Sequence, residues 1–158
     1  MAHEETPEHR LADLGIELPA VPPPAGLYAP AVRSGNQLYV SGQVPRAGDG
    51  SGVAAVGKLG HDITVEEGAA LARTCALQAL AVVRAELGSL DRVRRVVRVA
   101  GYVASAPGFT QHPAVINGAS QLLLDVFGEA GRHARVAIGV AELPAGVPVE
   151  VEFLFEVE

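Results

Sequence analysis

Arg135 and Glu150 are the residues of this chain whose types and setting best suit chemistry. They stand in two strand-like runs between His133 and Glu158 that flank the turn Leu143-Pro144-Ala145-Gly146. The second run alternates strictly. Val149, Val151, Phe153, Phe155 and Val157 share one face, and Glu150, Glu152 and Glu156 share the other with Leu154. Taken as a hairpin, the two runs place an arginine near a carboxylate at the loop end. A guanidinium fork holds both oxygens of a planar carboxylate, and a positioned carboxylate orients a water molecule and moves its protons. The pair is therefore suited to a small carboxylate and a water. The plainer alternative is a salt bridge from Arg135 to Glu150 or Glu152, with Glu150 a solvated strand residue like its neighbour.

Other chemically capable residues fall into no pattern. His3, His9, His61, His112 and His133 are scattered, so no dedicated metal site is expected. His133 reads as a surface histidine, or as a contact at the rim of a cleft near Arg135. The segment Gly48-Asp49-Gly50-Ser51-Gly52 lacks the Lys-Ser/Thr ending of a phosphate-binding loop and reads as a hairpin turn. Asp91 and the serines form no nucleophile constellation. Cys75 falls on a helix stripe expected to be buried, which makes it an inert core thiol.

Composition narrows the classes of partner. With 12 Lys and Arg against 18 Asp and Glu, the net charge of -6 gives no electrostatic reason to bind a phosphate backbone. An aromatic content of 4% supplies a base-stacking platform poorly. Nucleic acid is thus a disfavoured partner. A length of 158 residues fits one domain with a sizeable core. The lone Cys75 cannot form an internal disulfide, the polar start Met1-Ala2-His3-Glu4-Glu5 is unlike a signal peptide, and no apolar run approaches the roughly 20 residues of a membrane span. The expected location is the cytoplasm, with no membrane partner.

The elements that must position Arg135 and Glu150 follow from periodicity. Residues 1–24 read as an adaptable N-terminal arm, with one or two helical turns between Arg10 and Leu18 before Pro19 and Pro22-Pro23-Pro24 force an extended path. Residues 25–158 form the domain. Leu38 to Val44 predicts a strand, and Val53 to Val56 a second strand that completes a hairpin. Thr64-Val65-Glu66-Glu67 is a capping box opening a helix that runs to Leu87 and stops at Gly88, with Ala72, Cys75, Ala76, Ala79, Val83 and Leu87 inward. Val93 to Ser105 predicts a strand with Val97, Val99 and Val103 on one parity and Arg94, Arg98 and Tyr102 on the other. A second helix starts near Pro113 and carries Ile116, Leu123, Val126 and Phe127 inward up to Gly128. The order β-β-α-β-α-β-β predicts an α+β sandwich, one mixed sheet with both helices on one face. Its other face, with Glu150, Glu152 and Arg98 beside Ala137 and Leu154, is too mixed for a free surface or a sealed core. Self-association into a ring would resolve that.

Several stretches, in order and spacing, resemble the YjgF/RidA family of reactive intermediate deaminases, also labelled endoribonuclease L-PSP or translation initiation inhibitor. They are Ala25-Gly26-Leu27-Tyr28, Leu38-Tyr39-Val40-Ser41-Gly42-Gln43-Val44-Pro45, Ala134-Arg135, Val140-Ala141-Glu142-Leu143-Pro144 and Val149-Glu150-Val151-Glu152. The resemblance implies a chorismate-mutase-like α+β fold assembled as a homotrimer with clefts between subunits. In the RidA branch it further implies cofactor-free hydrolysis of 2-imino or 2-enamino acids to 2-keto acids, as in 2-iminobutanoate/2-iminopropanoate deaminases. Arg135 matches the arginine that pairs with the substrate carboxylate, and Glu150 the carboxylate that orients the hydrolytic water. Tyr28 matches the tyrosine that closes over the ligand, Ser41 and Gly42 a Ser-Gly pair on the first long strand, and Asn117 a helix asparagine. Packing at a subunit seam for Tyr28 and a bulge at Gly42 are the structural alternatives.

One departure marks a divergent branch: Ala137 stands where the RidA branch commonly has a cysteine two residues after the arginine. Three functions follow as expectations. The first is imine or enamine hydrolysis at intersubunit clefts. The second is a non-catalytic trimer that binds or senses a small carboxylate, such as an imino or keto acid. The third, RNA cleavage, is opposed by the acidic balance and by the lack of a histidine pair for general acid and base.

Overall fold

The computed structural model describes residues 5–158; the start of the arm, with His3, lies outside them. Both long helices form where their local signals place them. Helix α2 spans Val65–Leu87, and Thr64 caps it: its hydroxyl accepts from the Glu67 amide, while the Glu67 carboxylate accepts from the Thr64 amide. Two orphan donors of the first turn are thereby satisfied. The helix ends at Gly88, whose φ of 82° is open to glycine. Helix α3 spans His112–Phe127 with Pro113 in its first turn and Ile116, Leu123, Val126 and Phe127 buried. The helices approach closely because Gly118 of α3 lies on the Ala69 backbone of α2, where a Cβ has no room.

These two helices cover one face of a five-stranded sheet in the order β1-β2-β5-β3-β4. The strands are β1 Ala31–Ser34, β2 Gln37–Gln43, β3 Val93–Ala104, β4 Ala134–Val140 and β5 Val149–Val157. β3 and β4 are parallel and joined through α3, as a parallel pair requires; the other pairs are antiparallel. The core lies between helices and sheet. The small stripe of α2, from Ala72 to Val83, packs on Val149, Val151, Phe153 and Phe155 of the central strand β5, all at most 3% exposed. Each such Val or Phe contributes about 1.5–3 kcal/mol by leaving water.

Three local expectations are corrected. The first hairpin is made by β1 and β2, not by a strand at Val53–Val56, which contributes only an isolated bridge from Val53 to Arg46. In β3, Val96 rather than Val97 points into the core. Two bulges against β5 are responsible: Val93, Val96 and Val99 oppose Val157, Phe155 and Phe153, so the first two inward steps on β3 take three residues each before the regular alternation resumes. In the arm, the helix α1 is Pro7–Asp13, earlier than Arg10 to Leu18. Thr6 caps it and Pro7 occupies its first position, which sets the start. Its Leu11 is 2% exposed, and Glu8 accepts from Arg84 Nε at 3.1 Å, Arg84 Nη2 at 2.6 Å and the Leu90 amide at 2.9 Å.

Among the described residues, nothing covers the opposite sheet face. It presents Val32, Tyr39 and Ile138, each more than 40% exposed, together with Arg98, Glu152 and Leu154. No helix of the described residues is long and apolar enough to cross a membrane.

Candidate active site

Glu150 belongs to that uncovered face, and a bulge in β2 shapes its surroundings. Val40 opposes Phe153 and Gln43 opposes Val151, so Ser41 and Gly42 together face the single residue Glu152. The extra residue turns Gln43 inward, where it is buried, and its carbonyl oxygen accepts from the buried Gln78. The Glu150 carboxylate lies directly against Gly42, in the space that a Cβ would fill. Ser41 does not point its hydroxyl at the carboxylate: Oγ donates to the Ala29 carbonyl at 2.6 Å, and the Ser41 amide to the Pro30 carbonyl at 2.9 Å. These bonds tether the loop that carries Tyr28. The Tyr28 hydroxyl accepts from the Ala25 amide at 3.1 Å, and Tyr28, Ser41 and Gly42 line one small cavity.

The two strand glutamates differ. Glu152 accepts from the Tyr102 hydroxyl at 2.9 Å and lies 3.8 Å from Arg98. Glu150 is half-buried, and its carboxylate has no hydrogen-bond partner among the described residues. Burial, and secondarily the charge of Glu152, holds its carboxyl above the ordinary range. Glu150 is thus the carboxylate left available. Cys75 is fully buried in α2, and burial pushes its thiol up, as an inert core residue requires.

Arg135 sits on the other face. Its neighbours across the sheet, Val99 and then Phe153, are core residues, and its side chain rests on α3. Nη1 donates to Asn117 Oδ1 at 2.8 Å and to Ser120 Oγ at 3.1 Å. Behind them His133 Nδ1 donates to the Gly131 carbonyl at 2.6 Å, which makes Nε2 the acceptor for the Ser120 hydroxyl at 2.9 Å. Burial first, then the charge of Arg135, holds this imidazole below its ordinary range and keeps it neutral. With both Nη1 protons engaged, the Nε and Nη2 edge remains as a bidentate fork. No carboxylate pairs with it among the described residues. Arg135, Ser120 and His133 line an open cavity of about 530 Å³.

Asn117 therefore meets Arg135, while Tyr28, Ser41 and Gly42 line one cavity and Glu150 touches Gly42, but among the described residues the two groups do not converge. The hairpin expected to bring Arg135 beside Glu150 is overturned by the strand order, in which β3 separates β4 from β5. Arg135 aligns with Val99, and Glu150 with Tyr102. Three residues along and two strands across put their Cα atoms about 14 Å apart, with side chains on opposite faces. Ser120 was not foreseen as a partner of Arg135, whereas His133, read as a surface residue or a contact at the cleft rim, lines the same cavity as Arg135. Their signals were present: Asn117 and Ser120 share a helix face at i and i+3, and His133 and Arg135 share a strand parity.

A mixed sheet with two long helices on one face, an open opposite face and a free arginine fork at its edge strand defines an α+β protein of the chorismate-mutase-like class. The chain belongs to the YjgF family: the family profile described as "YjgF/chorismate mutase-like, putative endoribonuclease" matches residues 8–155. It is 53% identical over 147 residues to Protein TCP17 of Trypanosoma cruzi, covering 92% of this chain and 91% of that one. Among solved structures, it resembles the protein Atu1372 of Agrobacterium tumefaciens, described as of unknown function, at 44% identity and a TM-score of 0.85, covering 98% of this chain and 95% of that one. It also resembles a Shewanella oneidensis protein described as a putative endoribonuclease, at 38% identity and a TM-score of 0.90, covering 96% and 99%.

Proposed function

We propose that the protein hydrolyses small 2-imino or 2-enamino acids to 2-keto acids and ammonia, without a cofactor, at clefts completed between the subunits of a homotrimer. The observation that carries this reading is the division of the site into two complementary halves on opposite sheet faces. One half offers an arginine fork with no anion. The other offers a carboxylate with no hydrogen-bond partner beside a glycine-lined surface. Neither half works alone, and an uncovered apolar sheet face provides for a second chain.

In this reading the Nε and Nη2 edge of Arg135 takes the substrate carboxylate, with Asn117 and Ser120 fixing the guanidinium. Glu150 from a neighbouring subunit orients water toward the imine carbon. As the water oxygen bonds to carbon, the C=N π pair moves to nitrogen and Glu150 takes the water proton. Glu150 returns that proton to the nitrogen to give the carbinolamine, then relays the carbinolamine's hydroxyl proton to the same nitrogen as the C=O bond forms, the C–N bond breaks and ammonia leaves. A carboxyl raised toward neutrality by burial suits both tasks. Tyr28 and Gly42 wall the substrate, and Ser41 holds the Tyr28 loop. A reducing cytoplasm suits the free Cys75.

The test is keto-acid release from imines generated in situ by an amino-acid oxidase. Acceleration by the purified protein, abolished by Arg135→Ala, is expected. No acceleration with any of several imino acids removes the reading. Ala137, which offers only a methyl beside the Arg135 fork, favours a second reading in which carboxylate capture persists without turnover. Melting shifts with 2-keto acids in the absence of hydrolysis would select it.

A further inference from the structure

Arg46 stands beside the Glu150 half of the site and takes no part in the chemistry above. Among the described residues, the half-buried arginines Arg10 and Arg84 pair with Glu5 and Glu8. Arg46, equally half-buried, has no carboxylate in range and reaches only the Pro23 carbonyl, at 3.5 Å. A guanidinium that has lost part of its hydration without gaining an anion is unfavourable until one arrives.

Its placement is fixed from below. The Arg46 amide donates to Gln78 Oε1 at 2.9 Å, and Gln78 Nε2 donates to the Val44 carbonyl at 2.8 Å and to Gln43 Oε1 at 3.3 Å. This glutamine pair is buried, so the start of the Arg46 side chain is set by the same bulge that presents Gly42 to Glu150. Arg46 lines the cavity of about 30 Å³ bordered by Tyr28, Ser41 and Gly42, and also an adjoining cavity of about 590 Å³ under Pro19–Pro23, whose lining includes the exposed Glu17 and Asp49. The smaller space accommodates a group the size of a water. The larger is within the range of small-molecule sites. Prolines have no amide N–H, and the Ala25 amide is engaged by Tyr28. Arg46 is thus the strong donor on this wall.

We propose that Arg46 is the specificity-determining residue of the site. It receives a second carboxylate at the distal end of the ligand, so that dicarboxylic 2-keto and 2-imino acids are preferred over monocarboxylic ones. The inference rests on the reading of the cleft as a 2-keto and 2-imino acid site.

Calorimetric titration of the full chain with 2-oxoglutarate and with 2-oxobutyrate tests both. The wild type should favour 2-oxoglutarate by about tenfold or more, the worth of one charge-assisted contact. Arg46→Met should bring the ratio of affinities toward one, and Arg46→Lys, which keeps the charge but not the fork, should leave it between. A ratio near one in the wild type, with binding of both acids lost in Arg135→Ala, overturns the Arg46 inference alone. A ratio unchanged in Arg46→Met does the same. If neither acid binds the wild type, the reading of the cleft falls and this inference with it. Should Arg46→Met fail to fold, the wild-type ratio and Arg46→Lys still decide.

Discussion

Gly42→Ala separates the candidate chemistry from the fold. Gly42 is not among the glycines with positive φ, so alanine brings no backbone strain, and the three nearest atoms its Cβ would meet belong to the Glu150 side chain. Restricting the unfolded chain favours alanine by about 0.4–1 kcal/mol. Turning the Glu150 side chain away costs about 0.5–1.5 kcal/mol if it leaves a preferred rotamer. The net change is within about 1 kcal/mol, or about 2–4 °C in melting temperature for a chain of this size. Function should respond differently. A water-orienting carboxylate displaced by about an ångström loses on the order of a hundredfold in rate. The assay is thermal denaturation beside keto-acid release, with Glu150→Ala and the double variant for comparison. The double variant should be no slower than Glu150→Ala alone, because both changes act through one group. A melting temperature lowered by more than about 8 °C would show that the strand itself needs glycine. Turnover within a few fold of wild type would show that the Glu150 position against Gly42 does not matter.

Two further outcomes follow from the same geometry. Because burial and Glu152 raise the Glu150 carboxyl above its ordinary 4.5, the folded state binds the proton more tightly than the unfolded state, and the ionised form costs stability. That cost is absent below 4.5 and complete once the pH exceeds the raised value. Glu150→Gln should therefore melt higher than wild type at neutral pH, with the difference vanishing on acidification; equal melting throughout would refute the assignment. Gly118→Ala should destabilise by about 1–3 kcal/mol in denaturant unfolding, although alanine is the better helix former by about 1 kcal/mol. The obstacle is the Ala69 backbone rather than a movable side chain.

The parts of this molecule legible in its sequence are those decided by near neighbours. The Thr64 capping box and Gly88 mark both ends of α2, because capping involves residues within one turn. The alternation of β5 identifies its buried face, because the strand lies at the sheet centre with helices on one side only. What escaped depends on pairing across the chain. The bulges that turn Val96 inward exist only in register with β5, and no residue of β3 announces them. Sequence adjacency of β4 and β5 suggests a hairpin, yet β3 takes the place between them. That insertion is why Arg135 and Glu150 were individually visible while their relation was not. The Arg135–Ser120–His133 chain was missed for the same reason, since α3 meets β4 only after the crossover forms.

Complementation between inactive variants tests most directly the claim that the site is completed between subunits. Arg135→Ala and Glu150→Ala chains should each be inactive alone. Unfolded together and refolded, or co-expressed, they should regain part of the imine hydrolysis, because a fraction of mixed assemblies carries an intact Arg135 on one subunit facing an intact Glu150 on another. Full inactivity of the mixture, with mixed assemblies demonstrated by mass spectrometry, would contradict the account.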